Sequence, residues 1–238
     1  MEKLVKVDIF RGLAILLMIF FHLNYSLLNI FHIQILNFSE LFWFVLGKVS
    51  ALLFIFIAGV SFFLSSKKYG KSIAKKYTKK AVYLGIIAGI ISLITYFGFD
   101  SKFYIRFGII HFFALSFLLM IIFKRFRYFN LLFGTIIIVY GVYFIPIIEN
   151  KNLYFLGFRY YGFKSGDYYP ILPYFGVMLL GYVFALFLSD TNKLNLLKQK
   201  NNSNILLKIL ELFGKKSLLI YLIHQPIIVF IIYCIKLL

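Results

Sequence analysis

Residues 41–64, LFWFVLGKVSALLFIFIAGVSFFL, hold one charged side chain, Lys48, and the next sixteen, SSKKYGKSIAKKYTKK, hold seven lysines. About 20 mainly apolar residues suffice to span the hydrocarbon core of a bilayer as a helix. The first stretch therefore reads as a spanning helix, and the second as its charged anchor. Outward from this pair the pattern repeats. Apolar runs cover 9–31, 41–64, 81–99, 104–123, 130–148, 170–188 and 217–237. In lipid each backbone polar group needs a partner within the protein, which helices supply. The expected fold is an all-α polytopic membrane bundle of about seven transmembrane helices, with 1–238 as a single domain.

The gaps between the runs alternate in charge. Nineteen of the 26 Lys/Arg residues fall in the N-terminal segment (Lys3, Lys6, Arg11) and in gaps 65–80, 124–129 and 189–216. The opposite set holds only Lys102, Arg106, Lys151, Arg159, Lys164 and Lys236. An excess of Lys/Arg marks cytoplasmic loops. The N-terminus is thus expected in the cytoplasm and the C-terminus outside, as an odd number of spans requires.

Composition excludes several classes. The chain is 62% hydrophobic and 14% charged, against about a quarter charged in a soluble domain. A net charge of +18 would suit nucleic acid, but these cations flank apolar runs and do not stripe a soluble helix. They read as orientation signals and contacts for anionic lipid. One cysteine, Cys234, excludes an intramolecular disulfide and a cysteine metal cage. The first run is longer than the core of a cleavable signal and lacks a small-residue cleavage site, so it is expected to remain as a helix. Gap 189–216 is polar at Asn192, Asn195, Gln199, Asn201 and Asn202. It turns amphipathic at 205–213, which reads as an interfacial helix or as an extension of the last span.

Ionisable residues inside apolar runs are costly and mark candidate function. Asp8 and Arg11 are three apart and share a helix face; they suit either a helix N-terminus with an anchoring base or a binding role. His22 lies about 16 Å further along the same helix. Lys48 reads either as a lysine snorkelling to the outer interface or as a cation for an anionic substrate. Trp43, just outside it, fits an interfacial aromatic belt. His111 opens the fourth run in Arg106-Phe107-Gly108-Ile109-Ile110-His111, at a depth like that of His22. Asp167, in Asp167-Tyr168-Tyr169-Pro170, reads as the N-cap of the sixth helix or as a carboxylate that orients a histidine. His224 and Gln225 lie near mid-membrane beside Pro226, which frees a carbonyl one turn earlier. No Gly-x-Ser-x-Gly elbow, Walker loop, His-Glu-x-x-His motif or Asp-rich pair occurs, so no metal is expected.

Taken in order, these motifs resemble a known family. Val7-Asp8-Ile9-Phe10-Arg11-Gly12-Leu13-Ala14 leading to His22 is similar to the start of the membrane acyltransferases related to heparan-alpha-glucosaminide N-acetyltransferase, in their prokaryotic branch. Phe54-Ile55-Phe56-Ile57-Ala58-Gly59-Val60-Ser61 resembles the family's second-helix signature, with Lys48 at its basic position. Arg106 to His111 resembles the fourth-helix signature, and Asp167 through Pro173 and Gly176 the external loop. The stretch from Ser217 through Tyr221 and His224 to Pro226 is shared with the broader membrane acyltransferase class.

The resemblance implies transfer of an acyl group, usually acetyl, from cytoplasmic acyl-CoA to a sugar or other polar acceptor at the outer side. It makes His22 the general base or a transient acyl carrier, with His111, Asp167 and His224 orienting it or handling protons. Asp8, Arg11, Lys48, Arg106, Tyr168 and Gln225 become the candidate substrate contacts. In the animal enzymes an asparagine aligns with His22 and the reactive histidine falls near His32; the prokaryotic relatives carry the histidine at the position of His22. The chain lacks the animal enzymes' extra helices and lumenal domain, which separates it from a heparan substrate. The expected setting is the cell membrane, multi-pass, with the lipid bilayer, acyl-CoA and the acceptor as partners, no nucleic acid, and room for a homodimer. The alternative is a transporter for an anion or small metabolite that uses the same polar residues; the paired broken repeats of such proteins are not visible in the sequence.

Overall fold

The computed structural model describes residues 4–34, 38–98, 100–101, 103–145, 149–198 and 204–237. Lys3, Lys102, Pro146, Gln199, Lys200, Asn201 and Asn202 lie outside the described residues. The eight α-helices are α1 (Val5–Asn29), α2 (Glu40–Tyr69), α3 (Ile73–Gly98), α4 (Ile109–Phe123), α5 (Phe129–Tyr143), α6 (Ile171–Asp190), α7 (Ile205–Lys215) and α8 (Ser217–Leu237). Among the described residues there is no strand, only two isolated bridges. Four stretches are long and apolar enough to cross a membrane: Glu40–Gly98, which holds α2 and α3, then Ile109–Phe126, Ile171–Asp190 and Ser217–Lys236. α5 is apolar but shorter. The chain is an all-α membrane protein, as the hydrophobic runs dictate.

Two compact units divide it: residues 1–57 with 192–238, and residues 58–191. In the first, α1 packs against α7 and α8. Gly12 of α1 faces the Leu210 carbonyl of α7, and Gly214 of α7 faces the Asp8 carbonyl of α1, so near that neither position has room for a Cβ. Small residues are what let helix backbones approach this closely. α7 begins at Asn204, whose side chain accepts the Leu206 N–H at 2.9 Å. Two of its three charged residues, Glu211 and Lys215, pair with each other, while Leu210 and Gly214 are buried. The amphipathic stretch is therefore a separate helix seated on α1, and not an extension of the last span. Ser50 of α2 donates to the Ala14 carbonyl at 2.9 Å. Leu27, Ile228 and Ile232 form a small core between α1 and α8.

In the second unit, α3 pairs with α4 and α5 with α6, and α4 also touches α6. Phe62, Phe112, Phe175, Met120, Met178 and Leu179 are fully buried there. One end is tied by Lys67 to Ser189 (2.8 Å), Arg127 to Asp190 (2.8 Å) and the Tyr182 hydroxyl to the Lys124 carbonyl (2.9 Å). The end of α2, the α4–α5 turn and the end of α6 thus share one end of this unit. The ends of α3 and the starts of α4 and α6 make up the other. Large apolar side chains cover the outside of α3, from Ile86 and Ile90 to Phe97. An apolar face of that extent suits lipid, not water.

Two expectations need correction. The fourth helix begins at Ile109 and not at 104, because residues 103–108 are irregular and bond to the loop 164–169: Gly166 N–H donates to the Tyr104 carbonyl (3.0 Å) and Tyr169 N–H to the Phe107 carbonyl (2.9 Å). Asp167 does not cap the sixth helix. The residue before α6 is Pro170, with no side-chain cap, and the Asp167 carboxylate is spent on α4. Trp43, near the start of α2, is buried, with Phe20 and Phe42 each 5.2 Å away between ring centroids.

Candidate active site

In the first unit, α1 and α8 bring His22 and His224 together, with their ring centroids 4.9 Å apart. His224 Nε2 lies 3.2 Å from His22 Nδ1. His224 Nδ1 is 2.6 Å from the Tyr221 carbonyl, and His22 Nδ1 is 3.1 Å from the Met18 carbonyl. A carbonyl only accepts, so these two contacts assign the hydrogens. Each neutral ring carries its hydrogen on Nδ1. His224 Nε2 is then a bare acceptor facing His22 Nδ1–H, and His22 Nε2 is a bare lone pair. Among the described residues no group bonds that nitrogen.

One turn along the same seam, Gln225 Nε2 donates to Ser26 Oγ at 2.9 Å. Ser26 is fully buried. Gln225 Oε1 is also buried and has no partner, a condition that costs about 1–3 kcal/mol. Near the start of α1, Arg11 Nη1 donates to Asp8 Oδ1 (2.8 Å) and to the Gly214 carbonyl (3.2 Å). The pair therefore locks the α1–α7 crossing. Lys48 Nζ sits 5.7 Å from the Phe44 ring centroid, one turn toward the N-terminal end of α2. His32 is exposed, past the end of α1, with φ at 56°.

His111 is arranged differently. In the second unit, Gly108 N–H donates to its Nδ1 at 3.2 Å. Ser92 Oγ is 3.1 Å from its Nε2 and donates its own hydrogen to the Ile105 carbonyl at 2.6 Å. The ring thus accepts at Nδ1 and donates at Nε2, and no lone pair is left over. Asp167 Oδ2 accepts the Ile109 N–H at 3.0 Å. A Cβ at Gly108 would meet that carboxylate, so a larger residue there would have to displace Asp167. His111 and Asp167 together satisfy the first amides of α4, which otherwise have no intrahelical partner.

Arg106 and Tyr168 belong to the same mouth. Arg106 N–H donates to Ser165 Oγ (3.2 Å) and its Nε to the Lys164 carbonyl (3.1 Å). Its guanidinium lies over the Tyr104 ring at 4.8 Å. The Tyr168 hydroxyl donates to the Tyr154 carbonyl at 2.7 Å, with Arg159 over its ring at 4.9 Å. Burial first, and then the Asp167 charge, hold the Tyr169 hydroxyl well above its ordinary pKa. Among the described residues, no group of three His, Cys, Asp or Glu side chains could hold a metal ion.

The structure thus brings His22 to His224 and His111 to Asp167, each pair within its own unit. Sequence reasoning missed Ser26 and Ser92. Ser26 is four residues past His22, a spacing that was readable. Ser92 carried no signal, because a serine in an apolar helix ordinarily bonds its own preceding turn.

A family model described as "Heparan-alpha-glucosaminide N-acetyltransferase, catalytic" matches residues 3–226. The chain belongs to this family. No curated protein and no solved structure matches it. The match takes in α1 through the first half of α8, and so includes His22, His111, Asp167, His224 and Gln225. Membership in the heparan-alpha-glucosaminide N-acetyltransferase family makes the chain a membrane transferase, and it lends no support to the transporter reading.

Proposed function

We propose that the protein is an acyltransferase that takes an acyl group, most simply acetyl, from acyl-CoA on the cytoplasmic side. It passes the group to a sugar or other polar acceptor at the outer side of the cell membrane. One functional domain of seven spans carries this out, with the N-terminus in the cytoplasm and the C-terminus outside. The alternation of Lys/Arg supports that orientation. So does the gathering of Lys67, Lys124 and Arg127 at one end of their unit. The lysine-rich cytoplasmic turns would attract the phosphates of CoA.

The observation that carries the reading is the histidine pair with its carbonyl-fixed hydrogens. His22 Nε2 offers a lone pair in a water-poor seam, which is the requirement for a general base. It takes the proton from the acceptor's amine or hydroxyl as that atom attacks the thioester carbonyl. A C–N or C–O bond forms, the C–S bond breaks, and the CoA thiolate leaves and receives the proton from His22. While charged, His22 keeps two acceptors at Nδ1: the Met18 carbonyl and His224 Nε2. His224 is thus a positioning residue in the sense of the third member of a triad.

His111 and Asp167 hold the outer entry of α4, and Arg106 and Tyr168 hold the loop beside it. Asp8 and Arg11 hold α1 against α7 for the same purpose. Lys48 remains the candidate cation for the acceptor or donor. The test is acetyl-CoA consumption by purified protein in lipid vesicles, wild type against His22→Ala. A fall of about a thousandfold, within the range general-base removal allows, supports the reading. Equal rates remove His22 from the mechanism, and no acetyl-CoA binding by the wild type refutes the assignment of donor.

A further inference from the structure

Gln225 stands beside the paired histidines and has half of its carboxamide unused. It follows His224 in sequence, and its Nε2 is bound to Ser26 at 2.9 Å. Ser26 lies one helical turn beyond His22 on α1. The carboxamide therefore occupies the α1–α8 seam, one helical turn from His22. Its Oε1 is buried without a partner. Turning the amide over would not remove the vacancy: Ser26 can occupy only one end, and the other remains unmet. Three other buried polar atoms lack partners, on Trp43, Ser116 and Asn130, but none of them adjoins a histidine pair. A buried acceptor of this kind, beside a free base, is suited to an N–H or O–H donor that arrives with a substrate.

The geometry points to Gln225 as the residue that reads the acyl acceptor, and we propose that its Oε1 takes one hydrogen bond from the amine that is about to be acylated. This inference rests on the acyltransfer reading of His22 and deepens it. An attacking amine has one N–H for His22 Nε2 and another for Gln225. The pair of contacts fixes the direction of its lone pair toward the thioester. A site built to bond two hydrogens on one atom discriminates strongly against groups that carry fewer, so the acceptor class is primary amines, and a hydroxyl, with one hydrogen, cannot serve both His22 and Gln225. Tertiary amines and ethers are excluded.

The test uses full-length protein in vesicles, with acetyl-CoA as donor and D-glucosamine as acceptor. Water is the acceptor that is always present. Gln225→Leu keeps the bulk and removes the polar end. It should raise the KM for glucosamine at least tenfold and slow the hydrolysis of acetyl-CoA, while acetyl-CoA affinity stays within twofold. Ser26→Ala frees the carboxamide and should raise the same KM by less. Gln225→Asn keeps the amide and should fall between Leu and the wild type. The inference is overturned if acetyl-CoA affinity falls in step with acceptor KM, which would mark a structural or donor-side role. It is equally overturned if Gln225→Leu leaves both glucosamine transfer and hydrolysis unchanged. A wild type that neither binds nor consumes acetyl-CoA refutes the function proposed above, which is a separate outcome.

Discussion

Replacing His224 tests the pairing of the two imidazoles. His224→Phe keeps a planar ring in the seam and removes the acceptor that faces His22 Nδ1 across 3.2 Å. In the resting state little is lost, since His22 Nδ1 still has the Met18 carbonyl at 3.1 Å. Once His22 takes a proton its Nδ1–H becomes a charged donor, for which a hydrogen bond contributes about 1.5–3 kcal/mol. At 1.36 kcal/mol per factor of ten, that is a rate loss of about 10- to 150-fold. The retained Met18 bond puts the expectation near the lower end. His224→Gln restores an acceptor oxygen and should recover most of the rate. The assay is steady-state acetyl-CoA consumption in vesicles, with intactness checked by monodisperse elution. A Phe variant within twofold of wild type, or a Gln variant as slow as Phe, refutes the proposal that His224 acts by accepting a bond from His22.

Gly12→Ala forces a Cβ into the Leu210 carbonyl; overpacking of this kind costs about 1–3 kcal/mol and should lower the thermal midpoint in detergent. Gly89→Ala meets nothing within 4 Å and should not lower it; equal effects from the two would remove the α1–α7 crossing from the account. Asp167→Ala deletes the acceptor on the Ile109 amide, at a cost of about 1 kcal/mol for a lost cap, whereas Asp167→Asn keeps an oxygen there. Glucosamine KM and thermal midpoint should move for Ala and recover for Asn, and a variant pair that behaves alike contradicts the capping role. The raised pKa of Tyr169 favours its neutral form in the fold. Its contribution is whole below the unfolded value of about 10 and is lost as pH rises through the folded value. Tyr169→Phe should therefore lose less stability than wild type between pH 9 and about 11.5, read as thermal midpoint against pH; identical slopes refute it.

The helices were legible because their cause is local. A run such as 41–64 has no alternative in lipid, and α2, α6 and α8 fall close to where hydropathy put them. The misses have a tertiary cause. Residues 103–108 are mostly apolar, yet they do not coil, because the loop 164–169 and the Ser92 and Thr95 hydroxyls take up their backbone groups. Asp167 sits near Pro170 in sequence, so capping of α6 was the local reading. The structure spends its carboxylate 58 residues away in sequence, on Ile109. Sequence spacing cannot report a partner at that distance.

Within the apolar helices the sequence offers three histidines in similar settings, and charge or sequence position does not separate them. Their hydrogen-bond partners do. His111 meets a backbone N–H at one nitrogen and a serine whose own hydrogen is already committed at the other, so both ring positions are used and the imidazole is fixed as a neutral cap. His224 meets a carbonyl at Nδ1 and gives its only lone pair to His22. His22 meets acceptors at Nδ1 alone, so its lone pair stays on Nε2. Three identical side chains thus have three different capacities: none to offer a substrate, one already given to a neighbour, and one available. A general base requires the last of these. The proposal of His22 as the base rests on that asymmetry, and not on the presence of a histidine in an apolar run.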